Sequence, residues 1–394
     1  MQPEQIAPPT GDATRPPVRS QDCPSCGEDR WEPWREVPDV NLRTSGGDFP
    51  VVVCRGCGLA RTLGVDGEKA IRASYPAGYE CHQERARSGR FRLSWYLRAL
   101  AAASGGLTYY RWCNPLAADF GGQELRGPGA ALDVGCGAGD LLSRLRELGW
   151  NASGIEPSHS AAAVAHQRGF SVQEASIEDA VVPLDAFDLV IFRHTLEHTR
   201  RPERVLAKCI RALRPGGIIA VAVPNFDSPG RRFFGAAWPP LEVPRHLYHF
   251  TEGSIRTLLR TQGAVVETVA FNNELGDVLT GIGNMVRLRS RDSARRTPGT
   301  GRVGTARGRP LNLYALSYWF TALYAPALRL VGLELRSSVL ALGRRPAIER
   351  ASLTDTESSL RNAVHSENSA PRAAPMGTVP PKVPSPRGEG ETTA

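Results

Sequence analysis

From Ala130 onward the chain alternates short apolar runs with amphipathic stretches. Residues 131–134, 152–155, 187–192 and 218–223 are four to six residues long, the length of buried strands rather than helices. Between them, residues 140–148, 160–168 and 202–213 carry apolar positions at helical spacing. In the last of these Val205, Leu206, Cys209, Ile210 and Leu213 share one face. Arg214-Pro215-Gly216-Gly217 then reads as a turn before the next strand, Thr251 as the N-cap of a helix to Leu259, and residues 264–271 as a late strand. Repeated strand-then-helix units predict an α/β fold, a doubly wound parallel sheet with helices on both faces.

The pattern divides the chain. Residues 1–20 are rich in Pro, Thr and Gly and are expected to be disordered, as is the tail 351–394. Residues 21–63 form a short cysteine-anchored module, 64–125 a helical linker or lid, 126–272 the α/β domain, and 273–350 a helical extension with a basic loop and an aromatic stretch. Met1 to Ser20 lacks an apolar signal-peptide core, and the cysteines are not in a disulfide pattern, so the cytoplasm is expected. The formal charge of +8 is concentrated between Arg287 and Arg309, where eight Arg stand against one Asp. It describes one segment and not a basic fold.

Cys23-Pro-Ser-Cys26 and Cys54-Arg-Gly-Cys57 are two C-x-x-C pairs 27 residues apart, each followed by Gly. This is the spacing of a tetrahedral zinc site of Cys23, Cys26, Cys54 and Cys57. Four thiolates leave no open position, so the metal is expected to be structural.

Leu132-Asp133-Val134-Gly135-Cys136-Gly137-Ala138-Gly139-Asp140 sits where the first strand should pass into the first helix. Bare glycines there let a ligand approach the backbone and the helix N-terminus. A dinucleotide fingerprint would want Gly where Asp140 stands. Asp133 suits a ligand with an ammonium group, and Glu156, 21 residues after Gly135, can accept from two ribose hydroxyls.

On these residues, with Ile177-Glu178-Asp179, Phe187-Asp188-Leu189-Val190 and Leu213 to Gly217, the chain resembles the class I methyltransferase superfamily over residues 130–271. The resemblance implies a Rossmann-like sheet and S-adenosylmethionine as cofactor. It further implies that Asp133, Gly135, Cys136, Gly137 and Gly139 hold the methionine end, Glu156 the ribose, and Ile177 and Glu178 the adenine side. Asp188 is read as structural.

Two histidine clusters follow the fourth and fifth strands, Arg193-His194-Thr195-Leu196-Glu197-His198 and Arg245-His246-Leu247-Tyr248-His249. His194 is expected to line the cofactor pocket. His246 is the expected general base, with His249 and Tyr79 as further acceptor-side candidates. A zinc-ribbon-like module before such a domain is similar to bacterial sugar C-methyltransferases and their relatives. Those tend to carry Glu-His where this chain has Arg245-His246, which points as much to O-methylation of a sugar, glycan intermediate or other small hydroxylated acceptor as to C-methylation.

Residues 311–328 carry no charge and follow the arginine-rich segment. A packed helix is the default expectation for them, and peripheral contact of 287–328 with the inner face of the membrane the alternative. The competing functional class is an RNA methyltransferase or nucleic-acid-binding protein using the zinc module and the Arg-rich loop. The near balance of acidic and basic residues in the module, and the absence of an Asn-Pro-Pro-aromatic motif after the fourth strand, weigh against it.

Overall fold

The N-terminal cysteines organise three short strands, β1 (Trp31–Pro38), β2 (Asp48–Cys54) and β3 (Ala60–Thr62), followed by helix α1 (Glu68–Ala73). The structure, a computed structural model, describes residues 22–65, 68–75, 129–272, 275–296 and 335–347. All of these fall in one compact unit. The expectations for residues 1–20, for most of the linker including Tyr79, for 311–328 and for the tail 351–394 lie outside the described residues.

The α/β region begins with β4 (Gly129–Val134), α2 (Asp140–Glu147), β5 (Trp150–Ile155), α3 (His159–Gln167) and β6 (Ser171–Gln173). It continues with β7 (Phe187–Arg193), α4 (Pro202–Ala212), β8 (Leu213–Pro224), α5 (Pro229–Phe234), β9 (Tyr248–His249), α6 (Glu252–Thr261), β10 (Val265–Asn272), α7 (Leu275–Arg296) and β11 (Ser338–Arg344). Seven strands form one sheet in the order β10-β11-β8-β7-β4-β5-β6. The five strands from β8 to β6 are mutually parallel, and β11 runs antiparallel to both of its neighbours.

Alternation of side chains along the strands divides the core between the two faces. Leu132, Val134, Val190, Phe192, Ile219 and Val221 pack with Val205, Leu206, Cys209 and Ile210 of α4 and with Ile255, Leu258 and Leu259 of α6. Ala131, Leu189, Ile191 and Ala220 face the other way, onto Leu141 and Leu145 of α2. The doubly wound α/β sheet read from the sequence is present.

Two local readings change. Residues 214–217 do not end a helix ahead of a strand; β8 already starts at Leu213, and the pairing with β7 shifts register between Phe187 and Leu189. Gly216, at φ +82°, absorbs the irregularity. The sheet also does not stop at residue 272, because Ser338–Arg344 inserts between β8 and β10. Part of the expected extension therefore completes the α/β domain, and Arg287 to Arg296 of the basic segment lie in α7 rather than in a loop. Among the described residues no helix is long and apolar enough to cross a membrane.

The cysteine module is not a separate bead. Its sheet has the order β1-β2-β3-β9, so the second histidine cluster supplies the fourth strand, with Ala60 opposite His249 and Arg61 opposite Tyr248. Val37, Val51 and Ala60 pack against Phe226, Trp238, Leu241 and Val243. Thr251 caps α6 by accepting from Ser254 N at 3.1 Å, an arrangement that contributes about 1 kcal/mol, and Ser25 Oγ donates to Ser254 O at 2.6 Å.

Below this seam Arg245 is fully buried. Its guanidinium donates to Asp39 Oδ1 at 2.9 Å, Asp39 Oδ2 at 3.2 Å, Thr44 Oγ1 at 3.0 Å and Ser74 O at 3.0 Å. Burial raises the Asp39 pKa, but the Arg245 hydrogen bonds and charge, with Thr44 and the Leu42 N–H, outweigh it and hold the carboxyl below its ordinary value. The pair therefore contributes stability above the unfolded carboxyl pKa of about 4, and that stability is lost as pH falls through the lower folded value. Replacing Arg245 by Met leaves Asp39 buried without its counter-charge and is expected to cost about 3–5 kcal/mol in urea unfolding at pH 7, with the difference from wild type shrinking in acid. An unchanged urea midpoint would contradict this account.

Candidate functional site

The glycine loop lies at the carboxyl end of β4, between β5 on one side and β7 on the other, the crevice where open α/β sheets bind ligands. Gly135, Gly137 and Gly139 have φ of +77°, +54° and +83°. At Gly135 a Cβ would stand 2.5 Å from Thr195 Oγ1, so the turn after β7 leaves no room for any other residue. Gly135 N and Cys136 N donate to Ile155 O at 2.8 and 3.1 Å, which ties the loop to the end of β5.

Glu156 is buried beside it, accepting from Gly137 N at 2.8 Å through one oxygen and from Ser158 N at 2.9 Å through the other. Each oxygen keeps further lone-pair capacity. Asp133 is buried near the end of β4; burial raises its pKa to about 7, with Arg193 pulling it down and Glu156 pushing it up. The structure thus brings Asp133, Gly135, Gly137, Gly139 and Glu156 together. Cys136 contributes only backbone, since its thiol is buried against the position where Gly154 lacks a side chain, and burial raises its pKa. Asp140 is turned outward to Arg168 at 2.7 Å.

Ile177 is in the hydrophobic core. The turn 177–180 is held by Lys208 Nζ, which donates to the carbonyls of Ile177, Glu178 and Ala180 at 2.9, 3.0 and 2.9 Å, while Glu178 Oε1 accepts from Arg200 N at 3.0 Å. Asp188 is structural, accepting from Ala130 N at 2.8 Å and pairing with Arg214.

The two histidine clusters, far apart in sequence, are joined by their backbones: Leu247 N donates to Glu197 O at 2.8 Å. His194 sits at φ +53° at the end of β7, with Nδ1 3.4 Å from Glu197 Oε1. Leu196–His198 forms a single 3-10 turn. His198 Nδ1 faces Arg245 O at 3.0 Å and the Tyr75 hydroxyl at 2.9 Å. The His198 and His246 rings meet edge to face with centroids 4.6 Å apart.

His246 is buried and its Nδ1 donates to Pro240 O at 2.8 Å; burial pushes its pKa well below the usual value, so the ring is neutral at pH 7. His249 does not fit the catalytic role expected of it. It is 2% exposed, its Nε2 is bonded to Thr62 Oγ1 at 2.9 Å, and burial lowers its pKa to about 3. It is a strut between module and loop. The sequence places Glu197 beside His194 and His198 on one turn, but only the fold brings Tyr75 to His198 and Glu197 to His246.

The four cysteines converge as their spacing implies. Cys23 Sγ lies 3.6 Å from Cys57 Sγ, Cys26 Sγ lies 3.5 Å from Cys54 Sγ, and all four sulfurs are within 4.8 Å of one another. A tetrahedron with zinc–sulfur bonds of about 2.3 Å has edges of about 3.8 Å. The backbone bonds Gly27 N to Cys23 O at 2.8 Å and Gly58 N to Cys54 O at 3.0 Å form two matching turns around the cluster, with both glycines at positive φ.

Residues 108–269 match the family model described as a methyltransferase domain. A ubiquinone biosynthesis O-methyltransferase of Maricaulis maris is 29% identical over 148 residues, 34% of this chain and 57% of that protein. The enzyme of the same name from Xanthomonas oryzae pv. oryzae is 31% identical over 149 residues, 35% of this chain and 62% of that protein. The chain thus spans little more than half the length of these curated relatives. Among solved structures, a chain from the complex of the Haloferax volcanii Trm112 methyltransferase activator with a methyltransferase gives a TM-score of 0.41 at 16% identity, covering 64% of this chain and 96% of that one.

The Asp133 environment makes a prediction for the ligand-free protein. A carboxyl at about 7 when folded and about 4 when unfolded contributes stability that is full below pH 4 and lost as pH rises through 7. Urea unfolding at pH 5 and pH 8 should therefore show a larger loss in wild type than in Asp133→Asn. Equal losses would mean that Asp133 is not held protonated by burial.

Proposed function

We propose that the chain is an S-adenosylmethionine-dependent methyltransferase acting on a hydroxyl oxygen of a small acceptor. The observation that carries this reading is the crevice of bare loop, helix N-terminus, Asp133 and Glu156, in which a Cβ at Gly135 would fill space against Thr195. The residues fit the cofactor. Asp133 offers a carboxylate for the amino group, the start of α2 favours the carboxylate, and Glu156 retains acceptor sites for the ribose hydroxyls. Bound there, S-adenosylmethionine supplies a methyl group activated by its sulfonium.

The name shared by the curated relatives supports oxygen as the acceptor atom. A sugar or glycan acceptor rests on the sequence resemblance alone, and membrane contact on a segment mostly outside the described residues. For the nucleic-acid alternative the module offers little, since Arg30 pairs with Glu28 and Arg55 with Glu32. Zinc is the ion that four converging thiolates suit. Held there by Cys23, Cys26, Cys54 and Cys57, it would brace a module too small for a core of its own.

Two measurements test this reading. Calorimetric titration with S-adenosylmethionine should give saturable binding that weakens at least tenfold, about 1.4 kcal/mol, in Glu156→Ala; no binding to the folded protein would refute it. Elemental analysis should find one zinc per chain, lost in Cys54→Ser, and the loss should raise amide exchange in Asp48–Cys54 and at Tyr248–His249, the strand paired to the module. Full protection without zinc would show the ion to be dispensable.

A further inference from the structure

Glu197 is the anomaly of the acceptor side. Its side chain is 1% exposed, and neither carboxylate oxygen makes a hydrogen bond of good geometry, His194 Nδ1 standing 3.4 Å from Oε1. A buried carboxylate left so is costly unless a cation shares the site.

Both histidines beside it are arranged as ligands. A carbonyl can only accept, so the bond to Pro240 O at 2.8 Å places a hydrogen of His246 on Nδ1, while His198 Nδ1 is turned to Arg245 O at 3.0 Å and the Tyr75 hydroxyl at 2.9 Å. The Nε2 of His246 then carries the lone pair. A backbone carbonyl on the far nitrogen is how proteins orient metal-binding imidazoles. Glu242 Oε2 lies 3.8 Å from His246 Nε2, but Glu242 also faces Arg245 Nε at 3.3 Å. One ligand atom each from Glu197, His198 and His246 lies within 4.8 Å of the others, close enough for small side-chain shifts to close around one ion.

We propose that Glu197, His198 and His246 form a second metal site, distinct from the four cysteines, that binds a divalent first-row transition ion such as manganese. Two imidazole nitrogens and one carboxylate oxygen leave coordination positions open for a ligand. Thr195, two residues from Glu197, abuts Gly135, so the site adjoins the glycine loop. Its chemical use rests on the methyltransferase reading: the ion would bind the acceptor hydroxyl and lower its pKa. The proton leaves to solvent, the oxygen lone pair forms the bond to the methyl carbon, and the carbon–sulfur bond breaks with its electron pair retained by sulfur. His246 then serves as a ligand, in place of the general-base role expected from the sequence.

The test is titration of manganese into the full chain with zinc loaded at the cysteines, followed by calorimetry and pulsed electron paramagnetic resonance. One equivalent beyond the zinc is expected, with couplings to two imidazole nitrogens. Glu197→Gln and His246→Asn should each weaken it at least tenfold, with zinc content and S-adenosylmethionine affinity as checks of folding. No second equivalent, no imidazole coupling in wild type, or unchanged affinity in either folded variant overturns the site. The wild-type spectra decide the matter even if both variants misfold. Because S-adenosylmethionine binding is measured separately, failure of the metal site and failure of the methyltransferase reading give different results.

Discussion

The buried Arg245–Asp39 pair is the contact on which the geometry of the acceptor side turns. Asp39 follows the first strand of the cysteine module and Arg245 opens the second histidine cluster, so one ion pair joins the ends of two segments 206 residues apart. A guanidinium with no exposure cannot exchange this partner for water, and its remaining donors reach Thr44 and the Ser74 carbonyl. With Arg245 held, its carbonyl is positioned to receive His198 Nδ1, and His246 follows in the chain. Arg245 thus has a structural use, anchoring the loop to the module.

The cysteine module acts on the site through the same seam. Two residues of the histidine cluster complete its sheet, and Thr62 bonds both the His246 carbonyl and the His249 ring. Order in the module is therefore transmitted along β3 to the residues that face Glu197. On the cofactor side, by contrast, the constraint is steric. Gly135 and Thr195 leave each other no slack, so the loop after β4 and the turn after β7 are packed directly together.

Local signals in the sequence reached far into this structure. Short apolar runs marked every parallel strand except the short β6, because those strands are covered on both faces, and period-3.6 patterns marked the three helices α2, α3 and α4, because each buries one stripe against the sheet. The C-x-x-C pairs marked the sulfur cluster, since the ligand spacing is itself the geometry. Thr251 was legible as a cap because its bonds are to residues within the same turn. The reading failed where the deciding contact is remote. Ser338–Arg344 enters the sheet beside a strand that ends at residue 224, and nothing within its own seven residues says so. His249 looked like a catalytic candidate because its partner, Thr62, is 187 residues away.

The sequence by itself determined the strand–helix succession, the glycine loop with its two acids and the four-cysteine cluster, because each depends on residues within a few turns of one another and on chain geometry that spacing reveals. Only the tertiary structure decided which histidines matter and how. The burial of Glu197, the tautomer of His246 and the anchoring of Arg245 all follow from carbonyls, carboxylates and strands brought in from distant parts of the chain. Solvent exclusion and hydrogen-bond partnership are properties of the packed molecule, and no local pattern encodes them.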